Sequence, residues 1–405
     1  MFQRKLKVGY FVLAWLNIYA TAYYGNYIFF LMKREFGFGN RENLLMAGVN
    51  GGIYIFFAWF AGNFAQKRGY YLALKVGFSI MTVALLSGTQ AASVLAHYAV
   101  MMGWTVGMCF TWPTLEALVS EGETRKGLTT MLGIYNVNWA SGAAVSYFTG
   151  GALLDALGPR SLFWFPPILH AVQFAILIGL QRASRQLEPA TAPAGDGGPV
   201  DPHDAEVPLE RRKIFLRLAW IANPFAYIAM NTVIPLIPHI ATRFELSTTL
   251  AGFVGSVWLF ARLFTFVGLW FWAGWHYRFR WLAGAYVAMV GCFAAMLLVN
   301  NLAVVVIAQL AFGLAVGLIY YSSLFYAMDV GETKGEHGGA HEALIGVGLC
   351  AGPAVGTIAL RVAPAIPYAG ILAVSALLTV GLVVLLVSGG RLGRKRPRLA
   401  QKSLS

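Results

Sequence analysis

The chain has 405 residues, of which 58% are hydrophobic and 12% carry a charged side chain, and its mean hydropathy is +0.64. This composition excludes a water-soluble globular protein, which needs far more polar surface to cover itself. The net charge of +13 would suit a nucleic-acid-binding protein, but the 30 Lys and Arg residues lie at the ends of apolar runs and in the tails. The sequence therefore predicts an integral membrane protein without a nucleic-acid partner.

Twelve apolar runs separated by polar residues predict twelve membrane-spanning helices, since a helix needs about 20 apolar residues to cross a bilayer. In the first half they cover residues 8–32, 43–65, 72–91, 94–118, 128–153 and 161–180. In the second half they cover residues 214–239, 249–273, 281–299, 302–326, 342–361 and 366–388. The first run follows basic residues, as a signal peptide would, but it is too long and lacks a small-residue cleavage site. We interpret it as a retained span.

The segment between the sixth and seventh runs is rich in Pro, Gly, Ala and acidic residues, so we expect a flexible linker there. The predicted domains are an N-terminal six-helix bundle (1–181), the linker (182–213), a C-terminal six-helix bundle (214–390) and a basic tail (391–405). Basic residues flank the linker and follow the last run. The positive-inside rule then predicts that the linker and both termini are cytoplasmic, in a multi-pass protein of the cell (inner) membrane.

The two halves share short patterns at matching positions. Gly-Glu-Thr-Arg follows the fourth run at residues 122–125, and Gly-Glu-Thr-Lys follows the tenth at residues 331–334. Gly103 within the fourth run corresponds to Gly313 within the tenth. This shared spacing predicts two repeats, with a substrate path between them.

The segment after the second run reads Gly-Asn-Phe-Ala-Gln-Lys-Arg-Gly, and it resembles the signature loop of the major facilitator superfamily. That pattern has Gly, three residues, Asp, a basic residue, one residue and Gly. Gly62, Lys67 and Gly69 match it, Gln66 stands in place of the Asp, and Arg68 takes the variable position. The resemblance implies an all-α membrane fold, with twelve transmembrane helices in two six-helix bundles related by a pseudo-two-fold axis. It also implies alternating access, a gating role for this loop and a monomer.

The eleventh run carries small residues at helical spacing, including Gly352 and Gly356, with Pro353 between them. Close approach of helices in lipid depends on small residues, so we interpret the stripe as a packing surface. A gating hinge at the same residues is the alternative.

Arg262 lies about halfway along the eighth run, on the same predicted helix face as Trp258. Ionisable side chains are costly in hydrocarbon, so each one is a candidate functional residue. Arg262 is predicted to bind an anionic group of a substrate, because a guanidinium stays charged and donates two parallel hydrogen bonds. The alternative is a structural arginine paired with Glu116 or with backbone carbonyls.

Glu116, in the fourth run, is the candidate proton carrier, because partial burial of a carboxylate favours its protonated form. The alternative is a solvated side chain near Arg125 or Lys126 in the following loop.

Tyrosine, tryptophan and asparagine recur along several runs and are predicted to line a cavity that binds a polar solute. For each of them, hydrogen bonding between helices is the alternative. The candidates besides Trp258 and Arg262 are Tyr23, Tyr24, Tyr54, Asn138, Trp139, Tyr227, Asn231 and Tyr320.

The sequence contains no nucleotide-binding loop, no metal-spaced cluster of His and Cys, and no catalytic triad recognisable from spacing. We therefore expect no cofactor, no metal and no enzymatic activity. The predicted function is secondary or facilitative transport of a small organic solute by alternating access, with or without a coupling ion. Arg262 favours a substrate with an anionic or strongly polar group. Efflux of amphipathic compounds and a non-transporting receptor or scaffold remain the alternatives.

Overall fold

The computed structural model describes residues 2–123, 125–186, 206–330 and 336–394. Within these residues the secondary structure is helical and contains no β-strand. A short 3₁₀ turn, Ala273–Trp275, precedes the tenth helix. The helices are α1 (Phe2–Phe36), α2 (Asn40–Arg68), α3 (Tyr70–Gly88), α4 (Val94–Cys109), α5 (Trp112–Ser120), α6 (Arg125–Leu157), α7 (Ser161–Ser184), α8 (Leu209–Arg243), α9 (Thr248–Phe271), α10 (Phe279–Leu298), α11 (Leu302–Val330), α12 (Glu336–Val362) and α13 (Ala369–Arg394).

Ten helical segments of the described chain are long and apolar enough to cross a membrane, and α4 with α5 forms one of them. The helices α1 and α6 are also long, with 35 and 33 residues, but they are not among these ten. Polar residues such as Asn17 and Asn136 interrupt their apolar runs. Each predicted span coincides with one helix, except the fourth.

The fourth predicted span, residues 94–118, lies within one membrane-spanning segment, Val94–Ser120, but its helix is interrupted and forms α4 and α5. α4 ends in a tight turn, in which the amide nitrogens of Phe110 and Thr111 bond to carbonyls three residues earlier, at 3.1 and 2.9 Å. Pro113 has no N–H with which to continue the α-helical ladder, and it occupies the first turn of α5, where proline is tolerated.

The predicted loop at residues 62–69 is mostly helical, which corrects the predicted end of the second span. α2 continues to Arg68, and Gly69 alone joins it to α3 with φ +95°. Glycine adopts this conformation without the strain that a side chain would cause. Lys67 and Arg68 lie in the last turn of α2, where positive charge interacts favourably with the helix dipole. The apolar run that predicted the second span therefore ends at residue 65, whereas α2 continues to Arg68.

Two clusters of buried apolar side chains form most of the interior. One consists of residues from α1 to α7, and the other comes mainly from α8 to α13. The most extensive contacts between helices join α6 to α9 and α2 to α12, and thus connect the two halves of the chain. Large apolar side chains such as Phe56, Trp59 and Phe271 are exposed, as expected for a surface that faces lipid.

We call the face at which α7 ends and α8 begins the linker face, and the other end of the helices the opposite face. At the linker face each half joins the start of its first helix to the end of its fourth span. Lys7 Nζ donates to the carbonyl of Val119, at 3.1 Å, and to Glu123. In the second half Arg212 pairs with Asp329 at 3.4 Å.

Asp329 is buried, and Tyr277 also donates a hydrogen bond to its carboxylate. We expect Asp329→Asn to destabilise the protein by about 3–5 kcal/mol, because it removes the negative charge that pairs with the buried Arg212. Thermal unfolding of the purified protein in detergent measures this. The control is Lys213→Gln, which removes an exposed pair with Glu210 at 3.6 Å and should cost less than about 1 kcal/mol. Equal melting temperatures for the two variants would contradict the assignment.

Candidate functional site

A cavity of about 280 Å³ lies between the two halves of the chain. The first half contributes α1, α2, α4, α5 and α6 to its wall, and the second half contributes α8, α9, α11 and α12. Apolar and aromatic side chains form most of this wall. Among the described residues that line it, Arg262 and Glu116 are the ones with charged side chains.

The cavity brings together most of the residues that the sequence predicted. Those that line it are Tyr54, Glu116, Trp139, Tyr227, Asn231, Trp258, Arg262 and Tyr320. Tyr23, Tyr24 and Asn138 lie elsewhere within the first half. The Tyr23 hydroxyl bonds to a serine of α7 at 2.7 Å, Tyr24 packs edge-on against Trp104, and the Asn138 amide donates to the backbone of α1 at 2.9 Å.

Arg262 is buried in the middle of α9, with 3% of its surface exposed. Its Cζ atom lies 4.4 Å from the ring centroid of Trp139, 5.1 Å from that of Tyr320 and 5.3 Å from that of Phe266. Nη1 lies 3.5 Å from the sulfur of Met230, whereas Nε and Nη2 have no hydrogen-bond partner.

Neither alternative partner that the sequence suggested for Arg262 is in contact with it. The ion pairs among the described residues do not include Arg262, so Glu116 does not neutralise it, and no backbone carbonyl accepts from it. Three aromatic faces stabilise a desolvated cation by roughly 2 kcal/mol each. That is far less than the free energy of hydration that a buried charge loses. The guanidinium therefore remains a strong potential binding group for an anion.

Helical spacing accounts for the surroundings of Arg262. Trp258 and Phe266 are four residues before and after it, so all three side chains lie on one face of α9. Phe266 was not predicted as a site residue, although the same spacing identifies it. From the other half, Trp139 of α6 stacks on Tyr320 of α11, with centroids 6.5 Å apart and planes 13° from parallel. Arg262 thus lies where the two halves meet.

Two glycines of α11 set the distance between this helix and α9. A Cβ atom on Gly317 would lie 2.8 Å from Cβ of Thr265, and one on Gly313 would collide with the backbone of Trp258. In the first half, a Cβ on Gly107 would lie 2.8 Å from the carbonyl oxygen of Gly77 in α3. Glycines of the fourth and tenth spans therefore allow close helix packing in both halves.

Glu116 lines the cavity from α5 and is partly buried. The side chains of Arg125 and Lys126, near which it was alternatively expected, lie outside the described residues. The cavity also contains polar residues that were not predicted. Asn136 lines it, and its spacing to Trp139 places both on one helix face, whereas Asn138 lies on another.

The glycines and the proline of the eleventh span lie inside α12. A Cβ atom on Gly352 would lie 2.8 Å from the carbonyl oxygen of Ile228 in α8, and one on Gly356 would lie 3.0 Å from Leu44 of α2. Gly352 and Gly356 therefore permit close packing on both halves of the chain. A hinge at Pro353 stays a prediction.

Hydrogen bonds join the two halves at the opposite face. The Asp155 carboxylate accepts from the backbone nitrogen and the hydroxyl of Thr249, at 2.9 and 2.7 Å. Lys33 donates to the carbonyl of Pro238 at 3.1 Å, and Asn43 donates to that of Pro235 at 3.1 Å. These bonds hold α1, α2 and α6 against the ends of α8 and α9.

Comparison with known proteins gives one family and several solved structures. The sequence profile described as Major Facilitator Superfamily matches residues 10–353. A bacterial homologue of the human lysosomal transporter Spinster, in an inward-facing and occupied conformation, has 13% identity and a TM-score of 0.64 over 96% of each chain. A variant of the nucleoside transporter NupG has 12% identity and a TM-score of 0.66, over 96% of this chain and 100% of its own.

A structure of a proton-dependent oligopeptide transporter has 15% identity and a TM-score of 0.67, over 96% of this chain and 98% of its own. No curated protein matches by sequence. Identities this low show the fold alone, and the function of each structure belongs to that protein. The matches point to a transporter rather than an enzyme, and the resemblance inferred from residues 62–69 is confirmed. The chain belongs to the Major Facilitator Superfamily and is a multi-pass membrane transporter.

Proposed function

We propose that this protein moves a small organic solute with an anionic group through the central cavity by alternating access, as a secondary or facilitative transporter. Arg262 is the observation that supports this most. It is a buried cation in the cavity wall, it has no carboxylate partner among the described residues, and it contacts side chains from both halves of the chain. An anion bound to Arg262 would therefore lie between the two halves, and its affinity would depend on how the halves are arranged.

The proposed architecture has twelve spans in two six-helix bundles related by a pseudo-two-fold axis. Residues 1–181 and 214–390 form the bundles, residues 182–213 the linker and residues 391–405 the tail, in a chain that acts as a monomer. The two core clusters and the equivalent contacts of Lys7 and Arg212 support this division. Residues 187–205, 331–335 and 395–405, which include most of the linker, the second Gly-Glu-Thr-Lys pattern and most of the tail, lie outside the described residues.

Basic residues at the linker face support a cytoplasmic location for it, and for both termini, in the cell membrane. The bonds of Asp155 and Lys33 then close the outer face of the transporter. Residues 62–69, at the end of α2, are the proposed gating segment of the linker face.

Uptake into proteoliposomes tests the proposed function. The reconstituted protein should accumulate or exchange a labelled organic anion faster than empty liposomes and faster than the Arg262→Gln variant. Binding of the anion without flux would instead support a receptor of the same fold. Flux of cationic amphiphiles that is insensitive to Arg262 would support efflux of amphipathic compounds.

Glu116 is the proposed proton carrier, since it is the acidic side chain of the cavity wall. Glu116→Gln should flatten the pH dependence of transport, because an amide cannot take up and release a proton. Initial uptake rates measured from about pH 5 to pH 8 reveal this. Glu121→Gln, an exposed acid after α5, is the matched control and should keep the normal profile. An unchanged profile in Glu116→Gln would remove the proton-carrier role.

A further inference from the structure

The buried polar side-chain atoms of the cavity wall that lack a hydrogen-bond partner are all donors. In the described residues that line the cavity, the buried side-chain atoms without a hydrogen-bond partner are Nε and Nη2 of Arg262, Nε1 of Trp104 and Nε1 of Trp258. Each of these atoms carries a hydrogen and can only donate. A buried donor without a partner costs about 1–3 kcal/mol, and more when it is charged. A ligand group that only accepts hydrogen bonds would satisfy these buried donors.

The contacts of Arg262 leave one edge of its guanidinium without a partner. Its ring contacts, Trp139, Tyr320 and Phe266, are arranged around the guanidinium, and Nη1 faces the sulfur of Met230. The Nε and Nη2 atoms share one edge of the planar guanidinium, and both are unpartnered. This edge presents two parallel N–H bonds, spaced for the two oxygens of one carboxylate.

The shape and charge of the surroundings separate a carboxylate from a phosphate. A carboxylate is planar and can lie in the plane of the guanidinium. A phosphate monoester carries a charge of about −1.5 to −2 and a third oxygen that lies out of that plane. The described wall offers one cation, Arg262, and one acidic side chain, Glu116, so a second negative charge on the ligand would have no counterion.

We propose that the ligand of this cavity is a monocarboxylate with an uncharged organic body, whose carboxylate binds the Nε–Nη2 edge of Arg262. This inference rests on the proposed function and names the substrate class. The apolar and aromatic wall accommodates the body, and a cavity of about 280 Å³ has room for a small molecule. Trp258, one turn from Arg262, has a further unpartnered N–H donor in the cavity wall.

Thermal stabilisation of the purified full-length protein by four compounds of one scaffold tests the proposal. Benzoate should raise the melting temperature in a concentration-dependent manner. Benzamide removes the charge, phenyl phosphate changes the planar anion to a tetrahedral one, and terephthalate adds a second carboxylate at the far end of the ring. None of these three should stabilise the protein at the concentrations at which benzoate does.

Variants of Arg262 give the second arm of the test. Arg262→Gln should weaken benzoate binding roughly 100-fold or more, since two charge-assisted hydrogen bonds are lost. Arg262→Lys keeps the charge but not the two-pronged geometry, so it should bind more weakly than the wild type and more tightly than Arg262→Gln. Arg280→Gln, the same change at an exposed arginine after the 3₁₀ turn, should bind benzoate normally.

Each result separates this inference from the proposed function. Equal stabilisation by phenyl phosphate or terephthalate would overturn the monocarboxylate class but leave an anion transporter. Equal stabilisation by benzamide, or no stabilisation by benzoate, would overturn the carboxylate site itself. Benzoate binding that depends on Arg262, together with no flux of labelled benzoate into proteoliposomes, would retain the site and contradict the transport function.

Discussion

Arg262→Gln is expected to abolish transport while the protein still folds and elutes as a single monodisperse peak. The guanidinium is the one cation among the described residues of the cavity wall, so the variant cannot neutralise a bound anion. Loss of a charged hydrogen-bond partner in a desolvated site reduces affinity by about 2–5 kcal/mol, which corresponds to a reduction in uptake of roughly 30-fold or more below saturation.

The same substitution should leave the melting temperature unchanged or raise it. An arginine that serves the fold alone would be paired, and its removal would destabilise the protein, as we expect at Asp329. In the part of the chain that the structure describes, Arg262 has no ion pair, so its charge lowers the stability of the folded protein through desolvation. Glutamine is neutral and shorter, and it relieves that penalty at the expense of some packing against Trp139.

Initial uptake rates and thermal unfolding, measured on the same purified preparation, separate a binding role from a structural one. Arg280→Gln is the control for both measurements and should behave as the wild type does. Normal uptake by Arg262→Gln would remove this residue from the binding site. A large fall in melting temperature with lost uptake would indicate a structural arginine instead.

The spans were largely predictable because the bilayer fixes the length of an apolar helix. Even α1 and α6, which are less apolar, were recognisable from the charged residues that bound them. The division between α4 and α5 was not predictable from Pro113 alone. Pro166, Pro224 and Pro353 lie inside continuous helices of the same chain, because neighbouring groups can satisfy the backbone in a membrane protein.

Site residues were predictable where their type is rare in a membrane span. They were not predictable where the faces of a helix have similar compositions. Arg262 stands out because a charge in the middle of an apolar run is costly. Tyr23 and Tyr24 do not line the cavity, whereas Asn26, on the same helix, does. Each face of α1 carries both polar and aromatic residues, so its orientation depends on α6 and α7, which pack against it. Trp139 and Tyr320 belong to different halves, and no local sequence pattern predicts their contact.

Gly51→Val is expected to have the second large effect, because Gly51 lies where α2 crosses α12 between the two halves. A Cβ atom on Gly51 would lie 2.5 Å from the backbone nitrogen of Cys350 and 2.7 Å from its Cα. Backbone atoms cannot rotate away as a side chain can, so the two helices must separate. Overpacking of this kind costs about 1–3 kcal/mol.

The overpacking destabilises the arrangement of the two halves seen in this structure, because α2 and α12 belong to different halves of the chain. A penalty of about 1–3 kcal/mol on one state shifts the ratio of two states by roughly 5- to 150-fold. Transport requires passage through both states, so uptake by Gly51→Val should fall by a factor in this range.

Gly52→Val is the matched control, since it makes the same change one residue further along α2, and a Cβ atom there meets nothing within 4 Å. The two variants share the same change in helix propensity, so any difference in uptake or melting temperature reports the contact with α12. Equal behaviour of the two variants would show that close approach of α2 and α12 is not needed for transport. The close contact at Gly51 would then have no effect on the equilibrium between the two states.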